Sequence, residues 1–182
     1  DMTMDDAMYV THEMMDYLRG DGDTLSVMTT VEGQEQDFFN EQDRFHMGEV
    51  RDLFIGGLNI RLGACVAAVL CILFLIITHA DFKKIIPRSY WIALGVTGAA
   101  TLLIGIAAVI DFNAVFVQFH HIFFDNDLWI FDPAEDYMIR MLPEGLFYDM
   151  VIRIGAIFVV GLVVLLVLSF IPKILDWKKK LA

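Results

Sequence analysis

Three long stretches of the chain contain almost only apolar residues, at positions 62–78, 91–110 and 152–171. About 20 apolar residues in a helix span the roughly 30 Å hydrocarbon core of a bilayer, so each stretch predicts a transmembrane helix. The first stretch reaches that length only if it begins near Gly56, which places Arg61 in its first turns. An arginine stem lies along lipid while its guanidinium reaches the headgroups, so we expect Arg61 at the membrane interface.

Shorter patterns lie before the first span. The sequence from Thr3 to Asp6, followed by apolar residues at helical spacing, predicts an amphipathic helix that ends near Gly20. Positions 25–31 are apolar and β-branched, which predicts a short extended segment. From about Asn40 the apolar positions share one helical face and continue into the first span. We therefore expect one helix that begins outside the membrane and enters it.

Together these patterns predict an all-α polytopic membrane protein, in which three transmembrane helices carry a cap built from two segments. The predicted boundaries are a first cap segment at 1–53, a helix at 54–79, a turn at 80–90, a helix at 91–111, a second cap segment at 112–149, a helix at 150–173 and a tail at 174–182. Pro133 and Pro143 divide the aromatic-rich second cap segment into short pieces.

The composition excludes a soluble domain, because 57% hydrophobic residues and a mean hydropathy of +0.59 exceed what 182 residues can bury in one core. The formal net charge of -11 is divided sharply along the chain. Both cap segments are acidic, and their only Lys or Arg residues are Arg19, Arg44, Arg51 and Arg140. The turn contains Lys83, Lys84 and Arg88, and Lys173 at the end of the last helix is followed in the tail by Lys178, Lys179 and Lys180, so both segments are basic. Since Lys and Arg collect in cytoplasmic loops, we expect the turn and the tail in the cytoplasm and the cap on the extracytoplasmic side of the cell membrane.

That orientation requires the first cap segment to cross the membrane during synthesis. Residues 1–20 contain neither a basic stretch nor an apolar stretch that would direct such a crossing. We therefore expect a fourth membrane helix before this sequence, with its N-terminus in the cytoplasm.

Three of the five histidines, His46, His120 and His121, lie near the predicted outer boundary of the membrane. His12 is on the acidic helix and His79 is at the inner end of the first span. Histidine titrates near neutral pH, so a pair of these rings suits acid and base catalysis. A serine hydrolase is disfavoured, because the chain contains no GxSxG motif.

A metal site is a further chemistry that this region could support. Its ligands would be His120, His121, Asp125 and Asp127. Adjacent histidines on one element rarely face one ion, and the chain has no HExxH motif, so we disfavour this site.

Several motifs occur in a particular order: His46-Met47-Gly48-Glu49-Val50, Phe119-His120, Phe123-Phe124, Asn126-Asp127-Leu128-Trp129 and Leu142-Pro143-Glu144-Gly145-Leu146-Phe147. In the order and spacing of these motifs the chain resembles the bacterial lipoprotein intramolecular transacylases, and the resemblance covers nearly its whole length. That family takes one histidine from each external segment, so the resemblance implies catalytic roles for His46 and His120. Roles for His121 and Glu49 stay open. The resemblance also implies a fourth, N-terminal helix.

The resemblance implies acyl transfer within one diacylglyceryl-modified lipoprotein. The sn-2 acyl chain would move to the α-amino group of the N-terminal cysteine and give the lyso form, through a roughly eight-membered ring. One histidine would act as base and the other as acid or oxyanion donor, with no covalent nucleophile, cofactor or metal. Membrane lipids are expected partners and nucleic acid is not. The expected substrate-binding residues are Arg61, Arg153, Phe119, Phe123, Phe124, Asn126, Trp129 and Tyr148.

Two other classes of function use the same features. A membrane phospholipase or an intermolecular acyltransferase would use the same histidines, and would form product from separate acyl donor and acceptor. A transporter or an accessory membrane protein would use the external acids to gather cations. The middle of each span contains no acidic residue, which disfavours a transport pathway.

The charge distribution generates a prediction about topology. Single cysteines at Asp16 and at Lys83 should react with a membrane-impermeant thiol reagent from opposite sides of the membrane, because an odd number of crossings separates them. The measurement compares the extent of labelling of each cysteine in intact cells with that in inverted membrane vesicles. Labelling of both positions from one side would contradict the assignment.

Overall fold

The structure is a computed structural model that describes residues 2–181, without the side chains of Lys83 and residues 171–181. The predicted basic side chains at Lys83 and in the tail therefore lie outside the described residues. The elements in chain order are α1 (Met4–Arg19), β1 (Met28–Val31), β2 (Gln34–Asp37), α2 (Glu41–Ile77), α3 (Phe82–Ile110), α4 (Phe112–Phe123), α5 (Tyr137–Met141) and α6 (Glu144–Leu181). In this range three helices, α2, α3 and α6, are long and apolar enough to cross a membrane, which confirms the predicted fold class.

The chain divides into two compact units. The first unit comprises Asp1–Ile72 and Val117–Pro143, and the second comprises Leu73–Phe116 and Glu144–Ala182. The first unit contains most of both predicted cap segments, so those segments do pack together. The ends of the second segment, residues 112–116 and 144–149, belong instead to the second unit, because they continue into its long helices.

Helix α1 has the caps that its sequence predicts. The Thr3 hydroxyl accepts a hydrogen bond from the Asp6 N–H at 3.1 Å, as an N-cap residue does. Gly20 ends the helix in the left-handed region, at a φ of 93°, where glycine carries no steric penalty. One face of the helix buries Val10, Met14, Tyr17 and Leu18 in the core of the first unit.

A β-hairpin follows α1. The predicted extended segment forms β1, and β2 returns antiparallel to it with Val31 paired to Gln34. The two residues between the strands, Glu32 and Gly33, both have positive φ angles, of 54° and 82°, as the tight turn of a hairpin requires. We did not predict β2, because Gln34–Asp37 is polar throughout and shows no alternation of apolar residues.

Helix α2 is one element of 37 residues, as the pattern from Asn40 onward predicts. Its first turn is closed by two reciprocal hydrogen bonds: the Asp43 N–H donates to Asn40 Oδ1 at 2.9 Å and the Asn40 N–H donates to Asp43 Oδ2 at 3.0 Å. The Asn40 amide also donates to Asp136 at 2.6 Å, which ties this end to the second cap segment. At 1.5 Å per residue α2 is about 55 Å long, so its first turns lie outside the hydrocarbon core and we take Phe54 as the start of its membrane-spanning part.

The turn after α2 is shorter than predicted. Only residues 78–81 separate α2 from α3, so the predicted turn at 80–90 is helical from Phe82 onward. Pro87 lies inside α3, beyond its first turn, and because proline has no N–H the helix lacks one backbone hydrogen bond there. The tight reversal depends on His79, which takes a left-handed conformation at a φ of 50°.

Asp43 is fully buried, which generates a prediction about stability. Burial raises the pKa of its carboxyl, the Asn40 N–H and Arg44 oppose this rise, and the charge of Asp136 adds to it, so that the pKa is raised to about 6. The folded state therefore binds this proton more tightly than the unfolded state, and the stability it contributes at low pH is lost as the pH rises through about 6. An Asp43→Asn variant retains an acceptor for the Asn40 N–H and never ionises. It should gain stability relative to wild type between pH 4 and pH 8, by of the order of 2 kcal/mol.

Thermal unfolding in detergent at both pH values measures this difference. The exposed Asp52→Asn variant on the same helix is the control and should show no such gain. An Asp43→Asn variant that loses stability against wild type as the pH rises would contradict the expectation.

Candidate active site

Two histidines from distant parts of the chain meet in the first unit. His46 lies in the second turn of α2 and His120 in the last turn of α4. Their rings are stacked, with centroids 5.9 Å apart and planes inclined by 27°, and each residue is only 6% exposed. The two histidines that the sequence singled out therefore form one buried pair.

Aromatic rings surround this pair. Phe124 and Phe131 meet the His46 ring edge-on, with centroids 4.9 and 5.5 Å away. On the other side, Trp129 lies 4.6 Å and Phe119 5.5 Å from the His120 ring. Phe119, Phe124 and Trp129 were predicted to line a pocket. Phe131 was not, although its place in an aromatic segment two residues after Trp129 was a signal.

His121 and Phe123 occupy the edge of this cluster. His121 is exposed, and its ring meets Trp129 edge-on at 5.3 Å. Successive residues of a helix point about 100° apart, so His120 and His121 cannot both face His46. Phe123 is also exposed and packs on Phe119 at 4.7 Å. His121 and Phe123 therefore contact rings that line the buried pair, Trp129 and Phe119 respectively.

Polar contacts connect α2 to the loop after α4. The Gln42 side chain donates to the carbonyls of Leu128 and Ile130, at 3.1 and 3.0 Å. The Asn126 amide donates to Glu49 Oε1 at 2.7 Å, and Asn126 Oδ1 accepts from the Leu128 N–H at 2.9 Å. These bonds position the loop that carries Phe124, Trp129 and Phe131 against His46.

Glu49 lies one helical turn after His46. Its second oxygen, Oε2, is 3.9 Å from His46 Nδ1, and neither atom has a hydrogen-bond partner. The sequence alone left the role of Glu49 open and predicted that Asn126 binds the substrate. The spacing of three residues between His46 and Glu49 was the available signal, because such residues share a helix face.

The other predicted substrate residues are on the long helices α2 and α6. Arg61 is exposed on α2, and 15 residues of helix place it roughly 22 Å along the axis from His46. Arg153 and Tyr148 are on α6 in the second unit. The Tyr148 ring packs edge-on against Phe112 of the same unit at 5.4 Å. The structure thus brings Phe119, Phe124, Asn126 and Trp129 into the cluster around the histidines, but not Arg61.

The surroundings of His46 determine its charge. Burial lowers the pKa of its imidazole, and the nearby His120 acts in the same direction, so that the pKa is lowered to about 4. A ring with this pKa is neutral at physiological pH and offers a lone pair that can accept a proton. Among the residues whose side chains the structure describes, no three His, Cys, Asp or Glu side chains are grouped as metal ligands would be. The arrangement suits proton transfer in a site with little water.

Comparisons with known proteins agree with this architecture. A family model described as lipoprotein intramolecular transacylase Lit matches residues 1–147. The membrane integral Lit from Bacillus cereus is similar in structure, with a TM-score of 0.71 and 23% identity, over 100% of this chain and 78% of that chain. A variant of that protein with a histidine replaced by alanine gives a TM-score of 0.64 and 22% identity, over 100% of this chain and 76% of that one. A search of curated proteins gives no match.

The lowered pKa of His46 leads to a prediction that needs no assay of activity. Because the folded-state pKa is about 4 against an unfolded value of 6.5, folding favours the neutral ring, and this stability is lost as the pH falls from 6.5 towards 4. ¹⁵N shifts of the imidazole in labelled protein, assigned with a His46→Gln variant, should report a neutral ring from pH 8 down to about pH 5. A charged His46 ring at pH 6 would contradict the account of its burial.

Proposed function

This chain belongs to the family of the lipoprotein intramolecular transacylase Lit, and we propose that it moves the sn-2 acyl chain of a diacylglyceryl lipoprotein onto the α-amino group of the same molecule. The product is the lyso form, with an amide at the N-terminal cysteine and a free hydroxyl at sn-2. The observation that carries this proposal is the buried, stacked pair of His46 and His120 inside an aromatic cluster. The proposed site faces the extracytoplasmic side of the cell membrane, and the basic turn and tail support this orientation because Lys and Arg collect in cytoplasmic loops.

The reaction forms a C–N bond at the sn-2 carbonyl carbon and breaks the ester C–O bond. An ammonium group enters the reaction, so it must first lose one proton to become a nucleophile. A second proton leaves the nitrogen as the amide forms, and one is taken up by the departing sn-2 oxygen. The balance is one amide, one alcohol and one released proton. Since amine and ester belong to one molecule, no covalent enzyme intermediate is needed.

We assign the role of general base to His46. Its ring is neutral at physiological pH and can accept the proton of the ammonium group. His120, whose ring lies 5.9 Å away, is then placed to donate a hydrogen bond to the carbonyl oxygen or a proton to the departing oxygen. The stacked arrangement supports this division, because two groups that act on adjacent atoms of one substrate must lie within a few ångströms of each other.

The aromatic cluster has its own part in this proposal. Phe119, Phe124 and Trp129, joined by Phe131, line the pair with apolar surface. Exclusion of water protects the ester from hydrolysis and strengthens the hydrogen bonds made to it. Arg61, Arg153, Phe123 and Tyr148 remain proposed contacts for other parts of the lipid substrate.

Substitution of the histidines tests the function. His46→Ala and His120→Ala should each lower the rate by ~10²- to 10⁴-fold, because each removes one positioned proton-transfer group. The double variant should be little worse than the worse single variant, since both act in one step. The measurement is liquid chromatography with mass spectrometry of a diacylglyceryl lipopeptide, in which the product has the same mass as the substrate and an acylated amine.

His121→Ala is the matched control, because its ring is exposed beside Trp129, and it should retain activity. Full activity of folded His46→Ala and His120→Ala variants would refute the mechanism. Supplying the acyl donor and the amine acceptor as separate molecules addresses the competing reaction. Product from these unlinked partners, or release of free fatty acid, would favour an intermolecular acyltransferase or a phospholipase.

A further inference from the structure

Two complementary polar atoms beside the histidine pair lack hydrogen bonds. His46 Nδ1 and Glu49 Oε2 are both buried and unpartnered, and they lie 3.9 Å apart on one face of α2. In one tautomer Nδ1 carries a proton and is a donor, whereas a carboxylate oxygen is only an acceptor. The distance exceeds that of a hydrogen bond by about 1 Å, which a small rotation of either side chain removes.

The other end of the Glu49 carboxylate is already fixed. Asn126 donates its side-chain N–H to Glu49 Oε1 at 2.7 Å, and its side-chain oxygen accepts the Leu128 N–H at 2.9 Å. Because that oxygen is taken by its own loop, the amide nitrogen of Asn126 must face Glu49. The carboxylate is therefore anchored at one oxygen, and the remaining oxygen points towards His46.

We propose that Glu49 is a positioning residue for His46, anchored by Asn126, which hydrogen-bonds Nδ1–H and thereby leaves Nε2 as the proton-accepting atom. The catalytic consequence rests on the proposed function, whereas the orientation and tautomer of the ring are properties of the protein itself. The sequence alone left the role of Glu49 open and predicted that Asn126 binds substrate. In this proposal both residues belong to one series of hydrogen bonds, from Asn126 to Glu49 to His46.

The chemistry of the base explains why such a partner matters. A neutral imidazole in an apolar pocket is a weak base, because its cation is poorly solvated there. A carboxylate at hydrogen-bond distance from Nδ1 stabilises the cation as it forms, and it selects the tautomer with the lone pair on Nε2. The aromatic rings around His46 cannot supply either effect.

Glu49→Gln gives the first test. Asn126 still requires an oxygen acceptor, so the Gln carbonyl turns towards Asn126 and its NH₂ group faces His46 Nδ1. That contact favours the opposite tautomer, with the proton on Nε2 and no lone pair for the substrate amine. We expect kcat to fall by about 10²-fold or more, with KM changed by less than about threefold. ¹⁵N spectra of purified full-length protein should show the His46 proton moving from Nδ1 to Nε2.

Asn126→Ala gives a second, sharper test. In the wild-type background it removes the anchor of Glu49 and should lower kcat by about tenfold. In the Glu49→Gln background it frees the Gln side chain to turn its carbonyl towards Nδ1–H. The double variant should then be more active than Glu49→Gln alone and should recover the Nδ1–H signal. A merely structural contact between Glu49 and Asn126 predicts the reverse, a double variant no better than either single one.

Glu13→Gln, at an exposed position of α1, is the matched control for the change of charge and should leave rate and tautomer unchanged. Unchanged kcat and an unchanged His46 tautomer in folded Glu49→Gln protein would overturn the proposal. The two proposals fail separately: if wild type forms no N-acylated product, the proposed function is wrong, while the spectra still report whether Glu49 sets the tautomer of His46.

Discussion

Helix α2 continues from the cap into the membrane without a break, and the position of the site depends on that continuity. Inside lipid every peptide group must be paired within the helix, so the hydrogen bonding that begins at Asn40 and Asp43 runs on to Ile77. One continuous helix therefore carries both His46 and the first membrane span, and it sets the number of helical turns between them. The loop after α4 is held to the same helix by Gln42 and Glu49.

The net charge of the cap has little influence on the protonation of the His46 ring. The chain carries a formal net charge of -11, and nearly all its acids are in the cap segments. Exposed carboxylates beyond about 8 Å are screened at physiological ionic strength, so they have little effect on a buried ring. Burial among Phe124 and Phe131, together with the neighbouring His120, determines the protonation of the His46 ring. A strongly acidic protein thus keeps a neutral base inside it.

Much of the fold follows from local patterns that tertiary contacts do not override. The three spans, the caps of α1 and the helix from Asn40 were predictable, because apolar length and capping residues act within a few turns. The strand β2 and the start of α3 were not, since a polar strand exists only through its partner and charged residues such as Lys84 and Arg88 precede the apolar stretch of α3. His46 and His120 stood out by residue type, but the link from Glu49 to Asn126 joins two segments whose contact no sequence spacing reveals.

The turn after α2 bears on how a membrane helix can end. The Ala80 N–H donates to the Leu75 carbonyl at 2.9 Å, the His79 N–H donates to the Ile76 carbonyl at 3.1 Å, and the Thr78 hydroxyl donates to the Phe74 carbonyl at 2.8 Å. The end of α2 therefore leaves few peptide groups unpaired where the chain turns back. In lipid an unpaired peptide group is costly because no water can bind it. The last carbonyls of α2 are satisfied within its own turn, so this end of the helix needs no neighbouring helix to pair them.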